Sequence, residues 1–237
     1  MNLEVIADPE AVAKTAAKFI AAEATAAVAA CGRFTMAVSG GHTPWQMLRA
    51  LSAESVPWTN MHVFQVDERV APTGDSDRNF TYLQDSLLKD APLPPEHIHA
   101  MPVEESNLEA AVANYARQLQ EVSGSPPILD LVHLGLGSDG HTASLVPGDP
   151  VLDVVNRDVA LTGIYQKRKR MTLTYPILNR ARRILWLVTG PDKRQMLARL
   201  QCADVSIRAG RVRQDRAVVL ADCAAVKTVE NTETPCD

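Results

Sequence analysis

A glycine-rich turn that ends in a histidine is the segment of this sequence best suited to chemistry. The turn runs from Gly135 to Gly140 behind an apolar run, and His141 follows it directly. A lone histidine is more often structural, but here glycine and Asp139 lead into the ring and a helix start follows, which is typical of a functional site. Because an imidazole exchanges protons near neutral pH, we interpret His141 as a functional residue.

The glycine spacing of this turn is also that of a dinucleotide-binding site. Gly137 and Gly140 complete the pattern G-x-G-x-x-G, and Asp158 follows at about the distance of the acid that binds a ribose. Such a site needs a full helix behind the glycines, whereas Pro147 and Pro150 interrupt this segment. The sequence therefore disfavours a dinucleotide cofactor.

A second glycine motif is suited to an anion. Gly40, Gly41 and His42 follow an apolar run, and Thr43 before Pro44 predicts a helix that begins with a threonine cap. Glycines let the backbone approach a ligand, and a helix N-terminus presents unpaired N–H groups, for which phosphate is a natural ligand. A tight turn with an ordinary threonine cap is the alternative interpretation.

Charged residues follow other apolar runs. The sequence Asp67-Glu68-Arg69 is either a solvated loop or a carboxylate and a guanidinium placed over a pocket. Lys193 falls in the first turn of a predicted helix, where it opposes the helix dipole, and this position indicates an anion shared with the helix end. The basic run that ends at Arg170 is too short, in an acidic chain, to indicate nucleic acid.

Strand and helix signals alternate along the 237 residues, without a linker or an internal repeat. Asp8-Pro9 and Gly32 mark the ends of the first helix, Ser106 and Glu109 predict a capping box, and a polar loop is expected over 67–78. The predicted strands are 34–38, 61–66, 129–134, 159–164, 184–188 and 217–220. This alternation predicts one α/β domain over residues 1–237, with a largely parallel sheet and helices on both faces. Ligands of such sheets bind at the carboxyl ends of strands, where these motifs lie.

Composition excludes several classes of function. A formal net charge of −4 gives neither a basic field for nucleic acid nor a patch for an anionic membrane. Charged residues interrupt the longest apolar stretch, 11–30, so we expect no membrane span and no signal peptide. The four cysteines, Cys31, Cys202, Cys223 and Cys236, are scattered, which predicts reduced thiols and a cytoplasmic protein.

Metal and nucleophile motifs are absent from the sequence. It contains no G-x-S-x-G elbow, no Walker A loop and no H-E-x-x-H helix. His97 and His99 would share one face of a strand, but no third ligand is evident nearby, and His62 and His133 are interpreted as core or sheet residues. We expect neither a metal nor a cofactor.

Five segments, in order, resemble the signature segments of the 6-phosphogluconolactonase family: 39–44, 67–69, 135–144, 170–174 and 189–193. The third is the most specific, since its G-x-D-G-H-T-A-S-L-x-P-G pattern is rarely met by chance. The resemblance spans nearly the whole chain. It implies a Rossmann-like α/β fold related to that of glucosamine-6-phosphate deaminase.

The resemblance also implies an activity, the cofactor-free hydrolysis of 6-phosphogluconolactone in the oxidative pentose phosphate pathway. His141 would be the general base, with Asp67 and Arg69 lining the sugar ring, and the oxyanion would be met by Arg69 or by N–H groups of the glycine turns. The residues expected to bind the substrate and its phosphate are Gly40, Gly41, His42, Thr43, Gly137, Asp139, Gly140, Arg170 and Lys193. The expected partner is a small phosphorylated sugar lactone, bound by a monomer or a small homo-oligomer.

Two departures and two rival functions accompany the resemblance. His42 stands where the family more often has Ser, and Ala71 stands where it usually has Val. A sugar-phosphate deaminase or isomerase of the same fold would need an acidic residue after the G-x-D-G-H motif, where Val146 stands. A sugar-phosphate-binding regulator would carry a helix-turn-helix segment, for which no residues are spare.

Overall fold

A seven-stranded parallel sheet lies at the centre of the structure, a computed structural model that describes residues 1–226. The strands are β1 (Asn2–Ile6), β2 (Phe34–Val38), β3 (Met61–Gln65), β4 (Asp67–Arg69), β5 (Ile98–His99), β6 (Leu131–Gly135), β7 (Val159–Leu161), β8 (Arg170–Leu173), β9 (Arg183–Val188) and β10 (Ala217–Asp222). The large sheet has the order β1-β10-β9-β6-β2-β3-β5, and β4, β8 and β7 form a small antiparallel sheet. The predicted largely parallel sheet is confirmed.

Helices connect most of these strands. They are α1 (Pro9–Cys31), α2 (His42–Ser52), α3 (Asn79–Leu83), α4 (Leu108–Ser123), α5 (Tyr175–Arg180), α6 (Arg194–Gln201) and α7 (Cys223–Val226), and a π-helical turn continues α3. The ends of α1 are as predicted, because Asp8 accepts a hydrogen bond from the N–H of Ala11 and Gly32 closes the helix at a φ of +78°. None of the helices in the described part of the chain combines the length and the apolar character needed to cross a membrane.

Side chains alternate between the two faces of the large sheet. In β9, Ile184 and Trp186 are buried on the face that α4, α5 and α6 cover, whereas Leu185 and Leu187 are buried with α1 and α2 on the other. A strand covered on both faces must be apolar throughout, and this explains the continuous apolar runs in the sequence. The expected helices on both faces are confirmed.

The strand order brings the chemical motifs together. β9, β6, β2 and β3 are neighbours in the sheet, and the segments 189–193, 135–144, 39–44 and 67–69 follow their carboxyl ends. β2 lies between β3 and β6 in the sheet, and the chain passes from β2 to β3. The loop after β2 therefore turns away from the loop after β6, and a crevice opens between these two loops. These loops therefore meet at the position where open α/β sheets bind ligands.

Two expectations around this crevice were wrong. Asp67–Arg69 does not open a loop but forms β4, which pairs with β8. α2 begins at His42 with Gly41 as its N-cap, so Thr43 lies inside the first turn and its side chain makes no capping hydrogen bond. A φ of +127° at Gly41 lets the chain enter the helix without a side-chain cap.

The predicted capping box of α4 was also wrong. Asn107, not Ser106, is the N-cap, and its Oδ1 accepts a hydrogen bond from the N–H of Ala110 at 3.1 Å. Asparagine and serine are equally good caps, so the sequence alone does not choose between adjacent positions. The cysteine Cys236 lies outside the described residues.

Candidate active site

A cavity of about 510 Å³ opens at the carboxyl ends of β2, β3, β6 and β9. The residues expected from the sequence that line it are Gly40, Gly41, His42, Thr43, Asp67, Arg69, Gly137, His141, Arg170 and Lys193. Asp139 and Gly140 lie next to His141 in the chain but are not part of the lining. The volume suits a small ligand of the size of a sugar phosphate.

Asp139 holds the imidazole of His141. Its Oδ1 lies 2.5 Å from Nδ1 of His141 and also accepts the backbone N–H of His141 at 3.1 Å. Burial raises the pKa of the Asp139 carboxyl, but these hydrogen bonds lower it, and the net pKa lies below its usual value. The carboxylate therefore stays ionised, keeps a proton on Nδ1 and leaves the Nε2 lone pair of His141 as the acceptor.

The glycines of this turn make room for the ring. A Cβ at Gly137 would lie 2.3 Å from Nδ1 of His141, and the N–H of Gly137 donates to the carbonyl oxygen of His141 at 2.8 Å. Gly140 has a φ of +80°, and a Cβ there would lie 2.7 Å from Ile207. Gly137 thus leaves room for the imidazole of His141, and Gly140 lets the turn pack against Ile207.

Arg170 is a buried cation facing the cavity. The residue is 4% exposed, and burial lowers the pKa of its guanidinium. Its Nη2 donates to Gln166 at 3.0 Å, its Nη1 approaches Ser144 at 3.4 Å, and the ring of Tyr165 lies 5.0 Å away. Among residues 1–226 no carboxylate forms an ion pair with Arg170. A desolvated cation without a counter-ion favours an anionic ligand.

Asp67 is linked to Arg170 through a serine that sequence reasoning did not single out. The hydroxyl of Ser144 donates to Oδ2 of Asp67 at 2.6 Å, and its N–H donates to the hydroxyl of Thr172 at 3.2 Å. The serine was visible only as part of the motif 135–144. The adjacent Arg69 lines the cavity, and its Nη1 donates to a backbone oxygen of the 70–78 loop at 2.7 Å.

The N-terminus of α2 and the loop after β9 form the other wall of the cavity. The hydroxyls of Thr43 and Thr189 are 2.7 Å apart and join these two segments. Nζ of Lys193 lies 2.9 Å from the carboxylate of Asp192, which is largely exposed. Free N–H groups of the helix and an ammonium group therefore border the same space, as an anion site requires.

Three histidines meet at the edge of the sheet, outside the cavity. His62 lies beside both residues considered as metal ligands: its Nδ1 is 3.1 Å from Nε2 of His99, and the centre of its ring lies 3.9 Å from that of His97, with the two planes tilted by 38°. Burial lowers the pKa of His62 and of His99 to about 4. Within residues 1–226 no group of three or more His, Cys, Asp or Glu side chains has an arrangement that could hold a metal.

His133 is a core residue, as predicted. It is fully buried in β6, its Nδ1 accepts the N–H of Ser39 at 3.3 Å, and burial lowers its pKa to about 3. The imidazole is therefore neutral and ties the start of the Gly40-Gly41 turn to β6.

The comparison with protein families adds to this geometry. The profile of the family described as glucosamine-6-phosphate isomerases/6-phosphogluconolactonase matches residues 7–220. The chain belongs to this family. Membership confirms the resemblance that the five sequence segments indicated.

Individual members of the family give the same result. A 6-phosphogluconolactonase of Nostoc sp. is 36% identical over 203 residues, which cover 84% of each chain. The crystal structure of 6-phosphogluconolactonase from Thermotoga maritima has a TM-score of 0.82 at 25% identity and covers 93% of this chain and 98% of its own. A monomeric glucosamine-6-phosphate deaminase, at 18% identity and a TM-score of 0.83, covers 95% of this chain and 98% of its own and shares the fold. The expected relation to the deaminase fold is confirmed.

Proposed function

We propose that this chain hydrolyses 6-phospho-D-glucono-1,5-lactone to 6-phosphogluconate, a step of the oxidative pentose phosphate pathway. The enzyme class is that of the relatives named 6-phosphogluconolactonase. One observation carries the proposal: His141, held by Asp139, lines a cavity that Arg170 and Lys193 also line. A base and an anion site in one small cavity match a substrate that carries both an ester-like carbonyl and a phosphate.

His141 is the general base of this proposal. Its Nε2 takes a proton from water while the water oxygen bonds to the lactone carbonyl carbon. The electron pair of the carbonyl moves to its oxygen, and the tetrahedral intermediate then collapses with cleavage of the bond to the ring oxygen. The imidazolium returns the proton to that oxygen, and the new carboxylic acid loses its own proton to solvent. Asp139 stabilises the imidazolium between these two proton transfers.

The cations are assigned to the two negative ends of the bound molecule. Arg170, Lys193 and the N-terminus of α2 bind the phosphate, because all three line the cavity and Arg170 forms no ion pair with a carboxylate of residues 1–226. Arg69 faces the oxyanion, since its Nε is buried without a hydrogen-bond partner among the described residues. Phosphate binding away from the carbonyl orients the lactone for attack.

A direct assay tests the proposal. Purified protein is given freshly generated lactone, and the 6-phosphogluconate formed is measured by a coupled assay after subtraction of spontaneous hydrolysis. Glucosamine 6-phosphate is offered in parallel, and ammonia release is measured. We expect lactone turnover without ammonia release; ammonia release would indicate a deaminase, and binding of sugar phosphates without turnover would indicate a binding module. A cytoplasmic location, the absence of a cofactor and the oligomeric state stay predictions.

A further inference from the structure

The side-chain amide of Asn79 lines the cavity and has one end unused. The residue is 6% exposed and stands at the start of α3. Its Nδ2 donates to the backbone oxygen of Asp67 at 3.0 Å, which defines Oδ1 as the other end of the amide. Oδ1 is buried and has no hydrogen-bond partner in the part of the chain that the structure describes. A buried acceptor without a donor is unfavourable, so a ligand donor at this position would be stabilising.

Oδ1 of Asn79 lies close to the segments that are assigned to both ends of the proposed substrate. A Cβ at Gly40 would lie only 2.0 Å from Oδ1 of Asn79, so the amide packs directly on the glycine turn. The other end of the amide is bonded to Asp67. Oδ1 therefore lies between the turn assigned to the phosphate and the strand assigned to the sugar ring.

The local structure does not use the side chain of Asn79 as a helix cap. The carboxylate of Glu68 accepts the backbone N–H groups of Asn79 at 2.8 Å and of Phe80 at 2.7 Å, and so performs the capping of α3. Glu68 is in turn paired with Arg78, with 3.2 Å between Oε2 and Nε. Asn79 is the first residue of the helix and follows the N-cap Arg78, so its side chain is not in the capping position. The free Oδ1 is therefore not explained by the fold of α3.

We propose that Oδ1 of Asn79 accepts a hydrogen bond from a ring hydroxyl of the sugar lactone and so determines specificity; this rests on the proposed function. An amide oxygen only accepts hydrogen bonds. The lactone carbonyl and a phosphate dianion are also acceptors, so the hydroxyls on carbons 2, 3 and 4 are the donors that the substrate offers. A site built to hydrogen-bond a hydroxyl rejects an analogue that lacks it, because its own group is then left unpaired.

Deoxygenated substrates test the proposal. The wild type and Asn79→Ala are compared on the 6-phosphorylated lactone and on its 2-, 3- and 4-deoxy forms. The loss of one neutral hydrogen bond predicts a fall in kcat/KM of about 3- to 10-fold for Asn79→Ala on the parent lactone. On one deoxy lactone the same substitution is expected to have no effect. An equal loss on all four lactones would overturn the proposal, because it would mean that Asn79 acts only through the structure.

Controls separate this test from folding and from the proposed function. Ser86→Ala is the matched control, because Ser86 is fully buried, has no partner for its hydroxyl among residues 1–226, follows α3 closely and does not line the cavity. It is expected to leave all four rates unchanged. If Asn79→Ala does not fold, Asn79→Ser, which is too short to place an oxygen at the same point, must give the same pattern. If the wild type hydrolyses no lactone, the proposed function fails. The role of Asn79 is then tested by calorimetry, in which the wild type and Asn79→Ala are compared in their binding of 6-phosphogluconate and its deoxy forms.

Discussion

The carboxylate of Asp139 holds one ring nitrogen of His141, and Gly137 has no side chain that would collide with the ring. A ring held in this way loses little entropy when it takes up a proton in the transition state. All three residues belong to one contiguous motif, which is why sequence reasoning found them together. Asp139 contacts the ring of His141 and does not line the cavity, so in the proposed mechanism it acts only through His141.

Replacement of His141 by alanine is expected to lower kcat by about 100-fold or more, because the water then has no base, while the affinity for 6-phosphogluconate persists. Initial rates at one pH, each corrected for spontaneous hydrolysis, measure this effect. Asp139→Asn should give a smaller loss with the same direction. A folded His141→Ala protein with wild-type kcat would rule out the catalytic assignment.

Lys193 allows the phosphate assignment to be tested separately. Lys193→Ala should raise KM for the phosphorylated lactone and lower kcat/KM by about 10- to 100-fold, the loss expected for one charged hydrogen bond. Unphosphorylated gluconolactone should be a poor substrate whose rate the substitution does not change. Lys169→Ala, an exposed lysine outside the cavity lining, controls for general electrostatics. Equal losses on both lactones would show that Lys193 does not contact phosphate.

At the scale of elements, one carboxylate joins three segments around the site. Glu68 is fully buried in β4, accepts the side chain of Gln65 at the end of β3, caps α3 and pairs with Arg78. A buried carboxylate of this kind is stable only when it is both paired with a cation and hydrogen-bonded, as Glu68 is here. β4 and α3, which carry Asp67, Arg69 and Asn79, are therefore positioned by the same group.

Glu68→Gln should destabilise the protein strongly. The change keeps the shape of the side chain but removes the buried carboxylate that pairs with Arg78, and breaking such a buried pair costs about 3–5 kcal/mol. Urea unfolding measures the loss. Glu104→Gln is the matched control, because Glu104 lies 3.7 Å from the same guanidinium but is half exposed, and a loss of no more than about 1 kcal/mol is expected. Similar losses for both variants would contradict the role assigned to burial.

The sequence predicted features that depend on neighbouring residues, except the N-caps of α2 and α4. The caps of α1 and the motif around His141 are local, and both were found. β4 was missed because its partner strand lies about a hundred residues further along the chain, so no local pattern marks it. The bond between Ser144 and Asp67, and the contact of Asn79 with Gly40, join distant segments in the same way. Such contacts follow from the strand order, which the sequence did not reveal.

At the scale of the whole molecule, three neutral histidines make stability depend on pH. Burial lowers the pKa of His62 and His99 to about 4 and that of His133 to about 3, against about 6.5 in an unfolded chain. Between these values the unfolded chain binds more protons than the folded one. The part of the unfolding free energy that depends on these neutral histidines is therefore fully present above about pH 6.5. It is lost as the pH falls toward 4 and below.

His99→Gln should reduce this acid sensitivity. Each histidine contributes at most about 1.4 kcal/mol per pH unit to the slope of the unfolding free energy, and the variant lacks one of them. Urea unfolding of both proteins between pH 4 and pH 7 gives the two slopes. A variant slope equal to that of the wild type would show that folding does not lower the pKa of His99.

The pairing of β1 with β10 has a consequence for the order in which the molecule is assembled during synthesis. Asn2 pairs with Val218, and β10 lies between β1 and β9 in the sheet. As the chain leaves the ribosome, β1 emerges long before the strand that gives it hydrogen bonds. Its backbone groups stay with water, or with a chaperone, until β10 has been made. β10, the last strand of the sheet to be synthesised, thus joins β1, the first, to the other strands. A ribosome-bound chain that ends before Ala217 cannot complete the sheet.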